Sequence, residues 1–155
     1  MAQVKLGRRW MFTIMAVVVA VVAFALSQFG VFGPSAEDCR PVKEMLEFNR
    51  SQGEQIAAKS GDSEGIPTVA EEGAYQAWAD GLAERAQSVH DPDLATDATQ
   101  LASLSGEFVS KFGVLREQSQ SRAPGAPAPA EAYQMEALNS QITETLAKLS
   151  DACPT

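Results

Sequence analysis

Histidine and cysteine, which are common in catalytic and metal-binding sites, are scarce in this chain of 155 residues: it has one histidine and two cysteines. A di-iron helical bundle needs Glu-x-x-His on two helices, and residue 87, three positions before His90, is Gln. Covalent haem attachment needs Cys-x-x-Cys-His, which is absent, as are a Gly-x-Ser-x-Gly elbow and a glycine-rich phosphate loop. A structural zinc site would lack ligands once the two cysteines are paired. We therefore expect a protein that is not an enzyme and that holds no cofactor or metal.

One compact polar cluster does occur, formed by His90, Asp91, Asp93 and Asp97. A divalent cation could bind to such a group. The aspartates are better explained by helix capping and by the favourable dipole at a helix N-terminus, since Pro92 suits the first position of a helix. We interpret the cluster as the start of a helix rather than as a metal site.

Basic residues are few outside the N-terminal head. Residues 1–33 contain Lys5, Arg8 and Arg9 and no acidic residue, whereas the remainder has nine basic and twenty acidic residues, a net charge of −11. So acidic a segment lacks the basic stripe that binding to nucleic-acid phosphates requires. We expect no nucleic acid among its partners.

A single long hydrophobic run follows the basic head, from Trp10 to Leu26 with only Thr13 interrupting it, and Phe29, Val31 and Phe32 extend it beyond Ser27 and Gln28. A helix needs about 20 residues to cross the hydrocarbon core of a bilayer, and the core of a signal peptide has about 7–15. The run predicts a transmembrane signal anchor over residues 10–32, preceded by a cytoplasmic head over residues 1–9. The positive-inside rule then places the C-terminal domain on the extracytoplasmic side of the plasma membrane.

A cleaved secretory signal peptide is the alternative interpretation of the same run. Ala23 and Ala25 in "AFA" form a small-residue cleavage site, and cleavage after Ala25 would leave a mature chain that begins at Leu26. Both interpretations export the remainder of the chain, so its domain is expected to be extracytoplasmic in either case.

The exported part has few β-branched residues, and its apolar residues recur at intervals of three and four, which favours helices over strands. After a short linker over residues 33–40, the pattern predicts a four-helix domain over residues 41–153. The predicted helices run from Glu37 or Pro41 to Ser60, from Thr68 to about His90, from Asp91 or Pro92 through Leu115, and from a Pro/Ala-rich linker over residues 123–130 to Ser150. Thr68 and Glu71 have the spacing of a capping box. The mostly short connections predict an all-α fold with an antiparallel, up-down-up-down arrangement.

In that arrangement the start of the first helix and the end of the last helix lie at the same end of the bundle. Cys39 and Cys153 occupy these two places, and an extracytoplasmic location permits a disulfide. We predict one Cys39–Cys153 disulfide that closes the bundle. Two unrelated free thiols are the alternative.

Three residues on the apolar helix faces have two interpretations each. Tyr75 and Trp78 are most simply core residues, and alternatively they form an aromatic anchor for a partner protein. Gly53 is most simply a tolerated weak point of the first helix, and alternatively it permits the close approach of a neighbouring helix.

The layout resembles small actinobacterial envelope proteins that have one N-terminal anchor and an Ala-rich, acidic, exported helical domain. Some of these are similar to accessory subunits of the cytochrome bcc–oxidase respiratory supercomplex. The resemblance rests on the anchor, on "AYQAWADGLAERA", on "APGAPAPA" and on the two cysteines. It implies a scaffolding or assembly role without a cofactor of the chain's own.

We therefore expect a non-catalytic, membrane-anchored interaction protein whose partners are the lipid bilayer, through residues 10–32, and a membrane protein complex. The rival hypothesis is a bundle that carries or senses a small hydrophobic ligand in the cell envelope, because bundle interiors can host such sites. A cleaved, secreted protein that acts away from the membrane is the third hypothesis.

Overall fold

A computed structural model describes residues 33–60, 68–123 and 125–154 of the chain. These residues form four α-helices and no strand: α1 (Cys39–Ser60), α2 (Val69–Ala86), α3 (Pro92–Gln120) and α4 (Ala130–Ala152). The prediction of an all-α, four-helix fold is confirmed. The chain divides into two units, Met1–Ser35 and Ala36–Thr155, and all four helices belong to the second unit.

The predicted head over residues 1–9 and the predicted anchor over residues 10–32 lie outside the described residues. Among the four helices that are described, none combines the length and the hydropathy that crossing a membrane requires.

Side chains at two helix starts satisfy backbone N–H groups that have no partner within the helix. The Thr68 hydroxyl accepts a hydrogen bond from the backbone N–H of Glu71 at 3.3 Å, and the Glu71 carboxylate accepts one from the backbone N–H of Thr68 at 2.6 Å. Asp91 accepts a hydrogen bond from the backbone N–H of Leu94 at 3.0 Å, and Pro92 is the first residue of α3. The predicted capping box and the predicted start of the third helix are therefore confirmed.

The prediction that the second helix continues to about His90 is wrong, because α2 ends at Ala86. The backbone N–H groups of Ser88 and Val89 donate to carbonyl groups only three residues earlier, so the chain tightens into a turn. Val89 is buried although it lies in this connection. Its apolar side chain continued the helical spacing of the sequence and made the predicted helix too long.

The four helices pack in antiparallel order around one core. Arg116, late in α3, pairs with Glu72, early in α2, at 2.6 Å. Lys111, late in α3, pairs with Glu131, early in α4, at 2.8 Å. Each helix packs on its neighbours in sequence, and α1 packs on α4 to close the ring. The core contains buried side chains from all four helices; the largest of those that are fully buried are Phe112, Met45, Leu82, Leu101 and Leu149.

Cys39 and Cys153 form a disulfide, as predicted, with their Cα atoms 5.3 Å apart and a sequence separation of 114. Both cysteines are buried. The backbone N–H of Cys153 also donates to the carbonyl of Leu149 at 3.1 Å, so the bridge lies directly at the last turn of α4. The disulfide joins the start of α1 to the end of α4 and closes the bundle at that end.

Candidate binding groove between the first and last helices

The packing of α1 on α4 is the least extensive of the four neighbouring helix pairs. A groove with a volume of about 420 Å³ lies along this seam, and we name it the α1–α4 groove. It is lined by residues of all four helices: Asn49, Gly53, Ile56, Ala57, Tyr75, Trp78, Phe108, Asn139, Ile142, Thr143 and Leu146. The bundle is therefore clamped by the disulfide at one end of this seam and is open further along it.

Aromatic side chains from α2 and α3 form the inner wall of the groove. Trp78 meets Phe108 edge to face with ring centroids 6.5 Å apart, and Tyr75 lies 6.2 Å from Phe108 in a tilted arrangement. Trp78 is only 8% exposed, whereas Tyr75 and Phe108 are half-buried. Both aromatic residues singled out from the sequence thus line one groove, with Trp78 packed in the core. A contact of Tyr75 and Trp78 with a partner protein stays a prediction.

Asn49 on α1 fixes the orientation of Trp78. The indole N–H of Trp78 donates to Oδ1 of Asn49 at 2.9 Å. Because an indole nitrogen can only donate, the oxygen of the carboxamide must face it, and the two N–H groups on Nδ2 of Asn49 are directed elsewhere. Nδ2 has no hydrogen-bond partner among the described residues. The α1 wall of the groove therefore carries a hydrogen-bond donor that is held in place by its own oxygen.

Gly53, one turn further along α1, leaves this wall open. Within the described part of the chain, a Cβ built on Gly53 would meet no atom within 4 Å. The interpretation that Gly53 permits a close helix approach is therefore wrong, because none of the four described helices comes near enough to need a glycine there. What the glycine does is enlarge the groove.

Among the described residues, the lining of the groove contains no aspartate, glutamate, lysine, arginine or histidine, although 21% of the chain is charged. Tyr75 is the one titratable side chain in this described lining. Burial raises the pKa of Tyr75 above its ordinary value of 10.0, and the nearby charge of Glu71 raises it further. The described lining of the groove therefore has no ionised side chain at neutral pH.

The polar cluster around His90 does not contribute to the groove. Asp91 caps α3, while His90 lies in a separate surface hollow together with Glu37, Asp38 and Arg40. Over the described ranges, no three histidine, cysteine, aspartate or glutamate side chains come together in a way that could hold a metal ion.

Sequence reasoning missed Asn49, Phe108 and Asn139 as members of a common site. The one available signal was the spacing of Asn49, Gly53, Ile56 and Ala57, which places them on one face of α1. That spacing shows a shared face, and it cannot show that α4 leaves the face partly uncovered.

Comparisons with protein-family models, with curated proteins and with solved structures find no significant match to this chain. The resemblance to accessory subunits of a respiratory supercomplex therefore stays a prediction.

Proposed function

We propose that this chain is a non-catalytic, membrane-anchored interaction protein that serves as an accessory or assembly subunit of a membrane protein complex. In this proposal residues 10–32 cross the plasma membrane, the basic head stays in the cytoplasm and the bundle is extracytoplasmic. A complex of the cytochrome bcc–oxidase type is the partner that the resemblance suggests.

The observation that carries the proposal is the position of the disulfide at the start of the bundle. Because α1 begins at Cys39, only residues 33–38 connect it to the proposed anchor. Six residues extend over about 20 Å at most. The disulfide also fixes the end of α4 to Cys39, so the last helix cannot swing outward. A bundle tethered in this way begins close to the membrane surface and cannot leave it, which suits a subunit of a membrane complex better than a diffusing carrier.

The negative charge of the exported part indicates the charge of the surface to which it binds. With a net charge of −11 after residue 33, the bundle would be repelled by an acidic partner and steered towards a basic one. Association through such charges weakens as salt increases. We therefore expect the partner to present a basic extracytoplasmic surface near the membrane.

The test is to extract the tagged full chain from its native membrane in a mild detergent and to analyse it on native gels. We expect it to comigrate with a larger complex and to be released as salt is raised. A chain that runs only as a monomer, under conditions that preserve other membrane complexes, would contradict the proposal.

Two insertion variants test whether the short connection over residues 33–38 is what matters. In the first, 20 Gly/Ser residues between Ser35 and Ala36 add a flexible span of about 25 Å, which lowers the effective concentration of the bundle at the membrane. We expect less of the larger complex. In the matched control, the same insertion between Gly125 and Ala126 lengthens an exposed connection inside the bundle, and we expect comigration to persist.

A further inference from the structure

We propose that the α1–α4 groove binds a small, neutral molecule that contains a planar ring system and one hydrogen-bond acceptor. This inference concerns a ligand of the bundle rather than its protein partner, so it goes beyond the function proposed above and does not depend on it.

The size of the groove suits a compact molecule. Its volume of about 420 Å³ lies within the usual range of small-molecule sites, about 300–1,000 Å³. Its α1 wall runs from Asn49 to Ala57, which is about 12 Å along a helix. An extended lipid acyl chain covers roughly 15 Å, half of the hydrocarbon core of a bilayer, and would protrude. The dimensions therefore favour fused or linked rings over a lipid tail.

The inner wall favours rings for a second reason. Tyr75 and Phe108 are half-buried in the groove, and Trp78 supports them from the core. Aromatic groups attract one another in offset-stacked and edge-to-face arrangements. A planar ring that lies against this wall can therefore contact the exposed parts of Tyr75 and Phe108.

The lining also selects for the charge of the ligand. An ion that leaves water for this groove would find no side chain of opposite charge among the lining residues, and burying an unpaired charge is costly. A neutral ligand avoids that cost. The uncharged lining thus discriminates against anions and cations alike.

One polar contact sets the orientation of the ligand. The Nδ2 group of Asn49 is a donor whose position is fixed by the Trp78–Asn49 hydrogen bond of 2.9 Å. A carbonyl or ether oxygen on the ligand would satisfy it. An apolar molecule of the same shape would leave the donor without a partner, which weakens its binding.

The test uses the full chain in mild detergent. The chain has two tryptophans, so Trp10→Phe leaves Trp78 as the only one, and its emission reports a dye in the groove by energy transfer. Three dyes share a dimethylaminonaphthalene ring and carry a propionyl, a propyl or a carboxylate group. We expect saturable quenching and a one-to-one complex in native mass spectrometry with the propionyl dye. Binding should be at least fivefold weaker for the propyl dye and at least tenfold weaker for the carboxylate dye.

Variants in the wall locate the site. Gly53→Phe and Ala57→Phe fill the groove from α1, and we expect each to weaken binding of the propionyl dye at least tenfold. Gly106→Phe is the matched control, because Gly106 is an exposed helical glycine with nothing within 4 Å of a Cβ and lies outside the lining. It should bind as the parent chain does. Asn49→Asp keeps an acceptor for Trp78 but removes the donor, and it should abolish the preference for propionyl over propyl.

Circular dichroism and thiol labelling must show that each variant keeps its helices and its disulfide. The two wall variants occupy different positions, so a failure of one to fold leaves the other to test the site. Equal quenching by the three dyes, quenching without saturation, or equal binding by the Gly53→Phe and Gly106→Phe variants would overturn the proposal. Saturable binding of a long-chain neutral lipid with no binding of the ring dyes would overturn the assignment of a ring-containing ligand.

Discussion

The ring of Phe48 on α1 lies directly against the backbone of Gly81 on α2, in space that a side chain at position 81 would occupy. A Cβ built on Gly81 would come within 2.6 Å of Cε1 of Phe48. Arg85 lies over the same ring, with its Cζ 3.7 Å from the ring centroid, and donates to the carbonyl of Gly81 at 3.0 Å. Phe48 therefore sits in a slot that exists because residue 81 has no side chain.

This slot predicts opposite effects of the same substitution at two glycines of α2. Gly73→Ala should stabilise the bundle by about 1 kcal/mol, because alanine is the better helix former and no described residue lies within 4 Å of the new Cβ. Gly81→Ala makes the same gain but displaces Phe48 from Arg85 and crowds the α1–α2 contact, which costs about 1–3 kcal/mol. Thermal unfolding followed by circular dichroism should show Gly81→Ala to be the less stable of the two. Equal stabilisation by both substitutions would show that Phe48 moves aside without cost.

Loss of the Trp78–Asn49 hydrogen bond should lower the stability of the bundle, independently of the Phe48–Gly81 contact. Asn49→Leu removes the acceptor and leaves the indole N–H of Trp78, a residue only 8% exposed, without a partner. Such a loss costs about 1–3 kcal/mol. Asn49→Asp keeps an oxygen acceptor and should cost less than Asn49→Leu, as measured by urea denaturation.

A double-mutant cycle with Trp78→Phe is the control for this second prediction. In the Trp78→Phe background the indole N–H is gone, so Asn49→Leu should lose most of its effect. If the cost of Asn49→Leu is the same in both backgrounds, the hydrogen bond does not cause it.

The parts of the fold that were predicted correctly depend on residues close together in sequence. Thr68 and Glu71 are three positions apart, and the cap at Asp91 needs only Pro92 and Leu94 beside it. The disulfide is the exception, since Cys39 and Cys153 are far apart. It was predictable because the number and direction of the helices place both cysteines at one end.

The groove could not be predicted in the same way, because its features depend on distances between helices. Gly53 and Gly81 are both glycines within helices, yet one faces open space and the other faces Phe48. Asn49 meets Trp78 from a different helix, and Phe108 joins them from a third. Periodicity assigns a residue to a helix face, whereas the space in front of that face is set by tertiary packing.

Titration at high pH should destabilise the bundle through two groups. The pKa of Tyr75 is raised, chiefly by burial, and the pKa of Lys111 is raised by its hydrogen bond to Glu131. A raised pKa in the folded state means that the stabilisation is fully present below the pKa of the unfolded chain and is lost as pH rises through the folded value. Because the ordinary values are 10.0 for Tyr75 and 10.5 for Lys111, we expect the urea midpoint to fall above about pH 10.

Two tyrosine variants check this pH dependence. Tyr75→Phe removes one titrating group, so the fall of the urea midpoint above pH 10 should become less steep. Tyr133→Phe is the matched control, since Tyr133 is 60% exposed on α4, and it should leave the slope unchanged. A Tyr75→Phe variant whose midpoint falls as steeply as that of the parent chain would show that Tyr75 does not contribute.

Loss of the disulfide should act first on the contact between α1 and α4. This contact is the least extensive of the four between neighbouring helices, whereas α4 also packs closely on α3, so reduction should open the α1–α4 contact before the remaining helices separate. Cys153→Ser should lower the melting temperature and raise the rate of proteolysis over residues 123–130, most of which are exposed already but are held by α4 in the intact bundle. The expected cost is about 2–5 kcal/mol, the usual range for a native disulfide in a small exported domain.

The loss of stability in Cys153→Ser can be compared with that in two further variants. Asp91→Ala removes one helix cap and should cost about 1 kcal/mol, less than Cys153→Ser. If the cross-link is what stabilises the bundle, Cys39→Ser combined with Cys153→Ser should cost no more than Cys153→Ser alone. Alkylation under denaturing, non-reducing conditions is the direct check on native material. Labelling of both thiols would show that the bridge is absent there, and the closure of the bundle would then have to rest on the limited packing of α1 against α4.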